Sequence, residues 1–158
     1  MRMIKTILVA GLAVFMTLAA LGNITMPDTG IGAIGAAVGM ETTFKHPMAM
    51  WRAITSPWLV RTIFGAIVLL EALAALLLWR GVLRLWSARG DAAAFRAAKP
   101  AASTGLGFVA CLYFVGWMVL CNEWFLMWQS QKMNVLPEAF WNFAGAMLIM
   151  IWLNTPEE

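Results

Sequence analysis

The chain has 158 residues, 62% of them hydrophobic and only 12% charged, with a mean hydropathy of +0.78. A soluble domain is about half apolar and about a quarter charged, so 11 basic and 8 acidic side chains are too few to cover a soluble enzyme of this length. The pI of 9.2 rests on a net charge of only +3, which excludes a nucleic-acid binder as the leading reading; the apolar residues instead fall in blocks suited to a bilayer.

Residues 7–21 are an apolar run behind Arg2 and Lys5. Such a start resembles a secretory leader, and Thr17-Leu18-Ala19 offers small residues for cleavage. It is read here as a retained first helix, over about residues 4–22. Residues 23–57 then form an outward loop. Its stretch 30–40 is apolar but too short to span, so it lies on the surface or folds back on the bundle. Gly35 and Gly39 have the spacing of a close helix contact. Residues 47–54, rich in Met and Trp, belong at headgroup level.

The second helix covers about residues 58–79, bracketed by Trp58 and Trp79. It rises about 31 Å, close to the hydrocarbon thickness, and Trp favours both interfaces. Residues 80–103 follow as a basic loop with Arg80, Arg84, Arg89, Arg96 and Lys99. Within it, Asp91 is expected to cap a short amphipathic stretch, 92–98, that Pro100 ends. The third helix is placed at 104–129, with Ser103 or Thr104 as its cap, and the fourth at 137–153, with Pro137 in its first turn.

The fold class that follows is all-α: a four-helix transmembrane bundle with an outward-facing loop between helices 1 and 2, one integral membrane domain over 1–158. Basic residues concentrate at the N-terminus and in 80–103, against Lys45, Arg52 and Lys132 in the opposite loops. The positive-inside rule then puts both termini and the middle loop in the cytoplasm, with the chain in a bacterial inner membrane. Anionic lipid headgroups are a further contact for those residues, each worth about 1 kcal/mol near the surface.

Cys111 and Cys121 would sit about 15 Å apart along a helix, too far to bond. The two long loops hold no cysteine, so neither a disulfide framework nor a cysteine zinc site is expected. His46 is the lone histidine and is read as a surface residue; with Glu41 and Asp28 it does not define a metal site. No phosphate loop, nucleophile elbow, CxxC or HExxH pattern occurs. No catalytic residue, metal or cofactor is expected, with bound lipid or quinone as the ligand class such a bundle admits.

Charges within spans are costly and default to functional candidates. Arg61 lies three residues inside Trp58 and can snorkel. Glu123 stands level with it on helix 3, and the economical reading pairs the two. Glu71 is about 12 Å inside Trp79. Cys111 and Tyr113 reach a similar depth, and Tyr113, the only tyrosine, is a candidate hydrogen-bond partner. Glu71 is then either a proton-relay or ligand site, or an acid bonded to a neighbouring helix or subunit.

The run Asn122-Glu123-Trp124-Phe125-Leu126-Met127-Trp128-Gln129-Ser130, together with Met40-Glu41-Thr42-Thr43-Phe44, Trp51-Arg52-Ala53-Ile54 and Glu71, resembles the bacterial predicted small integral membrane proteins. The resemblance implies four helices and their topology, and no activity. Two departures are Glu41, where that family usually has aspartate, and Lys132-Met133-Asn134-Val135, where it has Trp-Asn-Gly-Gln. Physically, Glu123, Trp124, Trp128 and Gln129 would emerge at the outer surface beside Trp51, Arg52 and Glu41. Such a cap would bond Arg52 to Glu123 or Glu41 through its planar fork.

The expected function is a non-catalytic accessory or scaffolding subunit of a larger, respiratory-type membrane complex, with lipids and other integral subunits as partners and no nucleic acid. The alternatives are a small transporter or ligand-binding protein using Glu71, and a contributor to a quinone or lipid pocket.

Overall fold

The computed structural model describes residues 1–156. Five α-helices follow one another: α1 (Arg2–Thr25), α2 (Pro27–Val38), α3 (Pro57–Ser87), α4 (Ala92–Cys111) and α5 (Leu136–Leu153). The segment Leu112–Trp124 carries α4 on without a break, wound more widely as a π-helix. Among the described residues there are no strands. Four of the helices are long and apolar enough to cross a membrane: α1, α3, α4 with its continuation, and α5.

One buried stripe per helix builds the bundle. Val9, Ala13 and Met16 on α1, Ala74 and Leu78 on α3, Leu106 and Val109 on α4, and Ala146 and Leu153 on α5 are all buried in one cluster. Their three-, four- and seven-residue spacings keep them on one face of each helix. Small residues let α3 and α4 approach closely. A Cβ at Gly81 would stand 2.5 Å from the Ala102 Cα, and one at Gly105 would stand 2.9 Å from the Leu78 N.

The stretch 80–103 is not a loop. α3 runs on to Ser87, and α4 begins at Ala92, where the Ala94 N–H donates to Asp91 Oδ1 at 2.6 Å. Asp91 therefore caps as expected, but Pro100 lies inside α4 and does not end it. A proline inside a helix costs about 3 kcal/mol, and here packing offsets it. Ala98, Lys99 and Ala102 are buried around Pro100, whose carbonyl accepts from Thr104 Oγ1 at 2.9 Å. Ser103 and Thr104 are thus interior helix residues, not caps.

The basic end is also a structural device. Lys5 Nζ donates to the Leu153 and Thr155 carbonyls at 3.3 and 2.8 Å, and Lys99 Nζ donates to the Thr155 carbonyl at 2.7 Å. Two cations thus serve the open carbonyls and negative dipole end of α5. Arg2 Nη1 donates to the Arg89 carbonyl at 2.7 Å, tying the start of α1 to the α3–α4 turn.

At the opposite end, residues 30–40 belong mostly to a helix rather than a loop. Pro27 bars Met26 from helical geometry, which breaks α1 from α2. α2 then folds back on α3, with Gly30 against the Phe64 ring and Gly35 against Val60. The π-segment ends where Phe125 N–H bonds back to the Leu120 carbonyl at 3.0 Å. Leu126 then turns left-handed, with φ 57°, so the third span stops at Trp124 and not at 129.

Candidate functional site

Glu71 continues the buried stripe of α3, with Ala74, Ala75 and Leu78 three, four and seven residues on. It stands about 21 Å along the helix from Pro57 and about 24 Å from Ser87, midway along α3. Only 8% of it is exposed. Its partner is on α1, where Asn23 follows Met16 and Ala20 on the same face. Asn23 Nδ2 donates to Glu71 Oε2 at 2.8 Å. No second hydrogen bond reaches the carboxyl among the described residues.

Glu71 forms one wall of an open cavity of about 220 Å³. Tyr113 and Trp117 of the π-segment, and Glu138 and Asn142 of α5, line the others. Tyr113 is therefore at the depth expected for it, but it shares the cavity with Glu71 rather than serving as its hydrogen-bond partner. Glu138 sits in the first turn of α5, where the helix dipole favours an acid. The Phe114 and Phe143 rings, 5.3 Å apart, pin the π-segment to α5 beside the cavity. The π-helical segment carries two of the five polar or aromatic walls. Trp117 also borders a wholly apolar cavity of about 260 Å³ formed with α2 and α3.

The second constellation is the cap, and it interlocks the sequence runs singled out above. Thr42 Oγ1 and Ser130 Oγ lie 2.6 Å apart, and the Phe44 N–H donates to Gln129 Oε1 at 3.0 Å. The Phe44 and Trp128 rings meet edge to face at 6.2 Å. Ser130 Oγ also accepts from the Met133 N–H at 2.8 Å, which closes the loop after the motif. Arg52 does meet the end of the third span, but not through a carboxylate. Its guanidinium lies 4.7 Å from the Trp124 ring centroid and 5.6 Å from that of Trp51, and Nη1 donates to the Trp124 carbonyl at 3.4 Å. Among the described residues Arg52 Nε and Asn122 Oδ1 are buried without a hydrogen-bond partner.

Two expected contacts are corrected. Arg61 does not pair with Glu123, whose Oε1 instead accepts from Asn122 Nδ2 at 2.9 Å. Equal depth along two helices does not by itself bring two side chains together, and Glu123 follows a π-helical segment rather than a regular α-helix. Arg61 lies exposed along a groove of about 350 Å³ between α2 and α3, where Glu41 is on the lining. Nor does Arg52 reach Glu41 or Glu123.

Asn23, Glu138 and Asn142 were not singled out from the sequence, although Asn23 extends the α1 stripe by one step and Glu138 and Asn142 share the α5 face by four-residue spacing. His46 is exposed, with Nδ1 accepting from the Met48 N–H at 3.3 Å. Among the described residues no three His, Cys, Asp or Glu side chains converge on a metal position.

Fold and site together define a small helical membrane protein with an open cavity between α3, the π-segment and α5 and a hydrogen-bonded cap over one end. The chain belongs to the family described as predicted small integral membrane protein (DUF2165), which it matches over residues 1–156. No curated protein and no solved structure matches it.

Proposed function

We propose that the protein is a non-enzymatic ligand-binding protein of the bacterial inner membrane, with its basic end in the cytoplasm, and that the Glu71 cavity is its binding site. One observation carries this reading: a carboxyl within the spans, held by Asn23 of α1 through one oxygen, also lines an open cavity. An acid that served packing alone would fill its own surroundings, because a buried polar group left open is costly. The apolar cavity beyond Trp117 gives room for a hydrocarbon part.

The test is chemical. Dicyclohexylcarbodiimide, a membrane-soluble reagent for carboxyl groups, is applied to native membranes, and the modified residue is mapped by mass spectrometry. Modification at Glu71, lost in Glu71→Gln, supports the reading. A folded protein left unmodified at Glu71 refutes it.

A second reading, an accessory subunit of a larger complex, is favoured by the aromatic cap. Phe44 and Trp51 are 74% and 70% exposed there, beyond what bundle packing requires. A stoichiometric integral partner recovered in mild detergent, and lost in a Phe44→Ser/Trp51→Ser variant that remains folded in the membrane, supports that reading.

A further inference from the structure

We infer that the Glu71 cavity takes a small organic cation, a primary or quaternary ammonium group of choline size. This rests on the cavity being a ligand site and names the chemical class it selects. Three features point the same way.

The first is charge. Two carboxyl side chains, Glu71 from α3 and Glu138 from α5, line one cavity, and among the described residues no Lys, Arg or His lines it. Three of the cations are committed elsewhere: Lys5 and Lys99 bind the far end of α5, and Arg52 lies in the cap against two indoles. A carboxylate in a span is stabilised most by a cation that enters its own low-dielectric space.

The second is the wall chemistry. Tyr113 and Trp117 supply two aromatic rings beside the acids. Aromatic rings and carboxylates together suit an alkylammonium, whose charge is spread over apolar surface and attracts ring faces. The Asn142 side chain already donates to the Glu138 carbonyl at 2.8 Å, leaving its amide oxygen as an acceptor for an N–H or O–H of the guest.

The third is size. The open cavity of about 220 Å³ has room for a guest of several heavy atoms, choline among them. A metal ion would leave most of that space empty.

The experiment uses the full-length protein in lipid nanodiscs, with choline as probe and 3,3-dimethyl-1-butanol as its uncharged isostere. The rate of dicyclohexylcarbodiimide modification at Glu71 is measured against the concentration of each. Choline should protect Glu71 at a concentration at least about tenfold below that needed by the alcohol, since cation–π and charge contacts together exceed the free-energy equivalent of tenfold. Glu138→Gln, which keeps Glu71 as reporter, should weaken protection by choline and leave any effect of the alcohol unchanged. Equal protection by both probes, or protection by neither while Glu71 is modified, overturns the cation class and leaves the ligand site standing. Absence of modification at Glu71 in the folded protein overturns the site itself. A melting temperature for Glu138→Gln close to that of the parent protein excludes misfolding as the cause of lost protection.

Discussion

Replacing Gly81 by alanine should destabilise the bundle, although alanine is the better helix former. At Gly81 the added Cβ would lie 2.5 Å from the Ala102 Cα, 2.9 Å from its Cβ and 3.0 Å from its N. Ordinary carbon contacts are about 3.5–4.0 Å, and the obstructing atoms are backbone, so α3 and α4 must move apart. Overpacking of this kind costs about 1–3 kcal/mol, with a backbone clash near the upper part of that range. The gain from replacing a helical glycine is about 1 kcal/mol. The net expectation for Gly81→Ala is a loss of about 1–2 kcal/mol. Gly65 lies on the same helix with nothing within 4 Å of its added Cβ. Gly65→Ala should therefore show only the propensity gain, about 0.5–1 kcal/mol. Reversible unfolding in mixed detergent–SDS micelles, followed by tryptophan fluorescence, measures both. Gly81→Ala as stable as the parent chain, or changes of the same sign at the two sites, would refute the close α3–α4 approach.

Arg52→Ala should lower stability by about 1–2 kcal/mol through the loss of two indole contacts, whereas Glu41→Gln and Glu123→Gln should stay within about 0.5 kcal/mol of the parent. Thermal melts separate this aromatic seat from a carboxylate clamp, which would make the glutamate changes as costly as the arginine change. Ser130→Ala leaves the Met133 N–H and Thr42 without their partner and should cost about 1–3 kcal/mol. Hydrogen exchange at Lys132 and Met133 should rise with it, and unchanged exchange would contradict the anchoring role of Ser130. Lys5→Met, at a site 1% exposed, removes charged hydrogen bonds to the end of α5 and should cost about 1.5–3 kcal/mol. A melting temperature equal to the parent's would show that Lys5 acts on topology alone.

The sequence made the spans legible because lipid leaves hydropathy as nearly the only free variable. Trp58 and Trp79 marked one span, and Glu71 stood out because a carboxyl among the apolar residues of a span is costly. The runs around Thr42, Arg52 and Ser130 were grouped at one end, and there they interlock.

What escaped has physical causes. Pro100 is ordinarily a helix breaker, and only the tight α3–α4 packing around it lets α4 continue. Residues 30–40 are too short to span and rich in glycine, so propensity hides a helix that tertiary contact with Phe64 and Val60 creates. The π-winding of Leu112–Trp124 has no sequence signal, and matching depth along the helices was not enough to pair Glu123 with Arg61. Asn23 fell one residue beyond the expected end of the first helix, so the true partner of Glu71 lay outside the span that would have revealed it.

The most direct measurement is residue-resolved carbodiimide modification of the protein folded in nanodiscs, comparing Glu71 with the exposed Glu123. Modification at Glu71 that choline suppresses and its uncharged isostere does not is the expected result. A folded protein whose Glu71 stays unmodified while Glu123 reacts would contradict an accessible site among the spans.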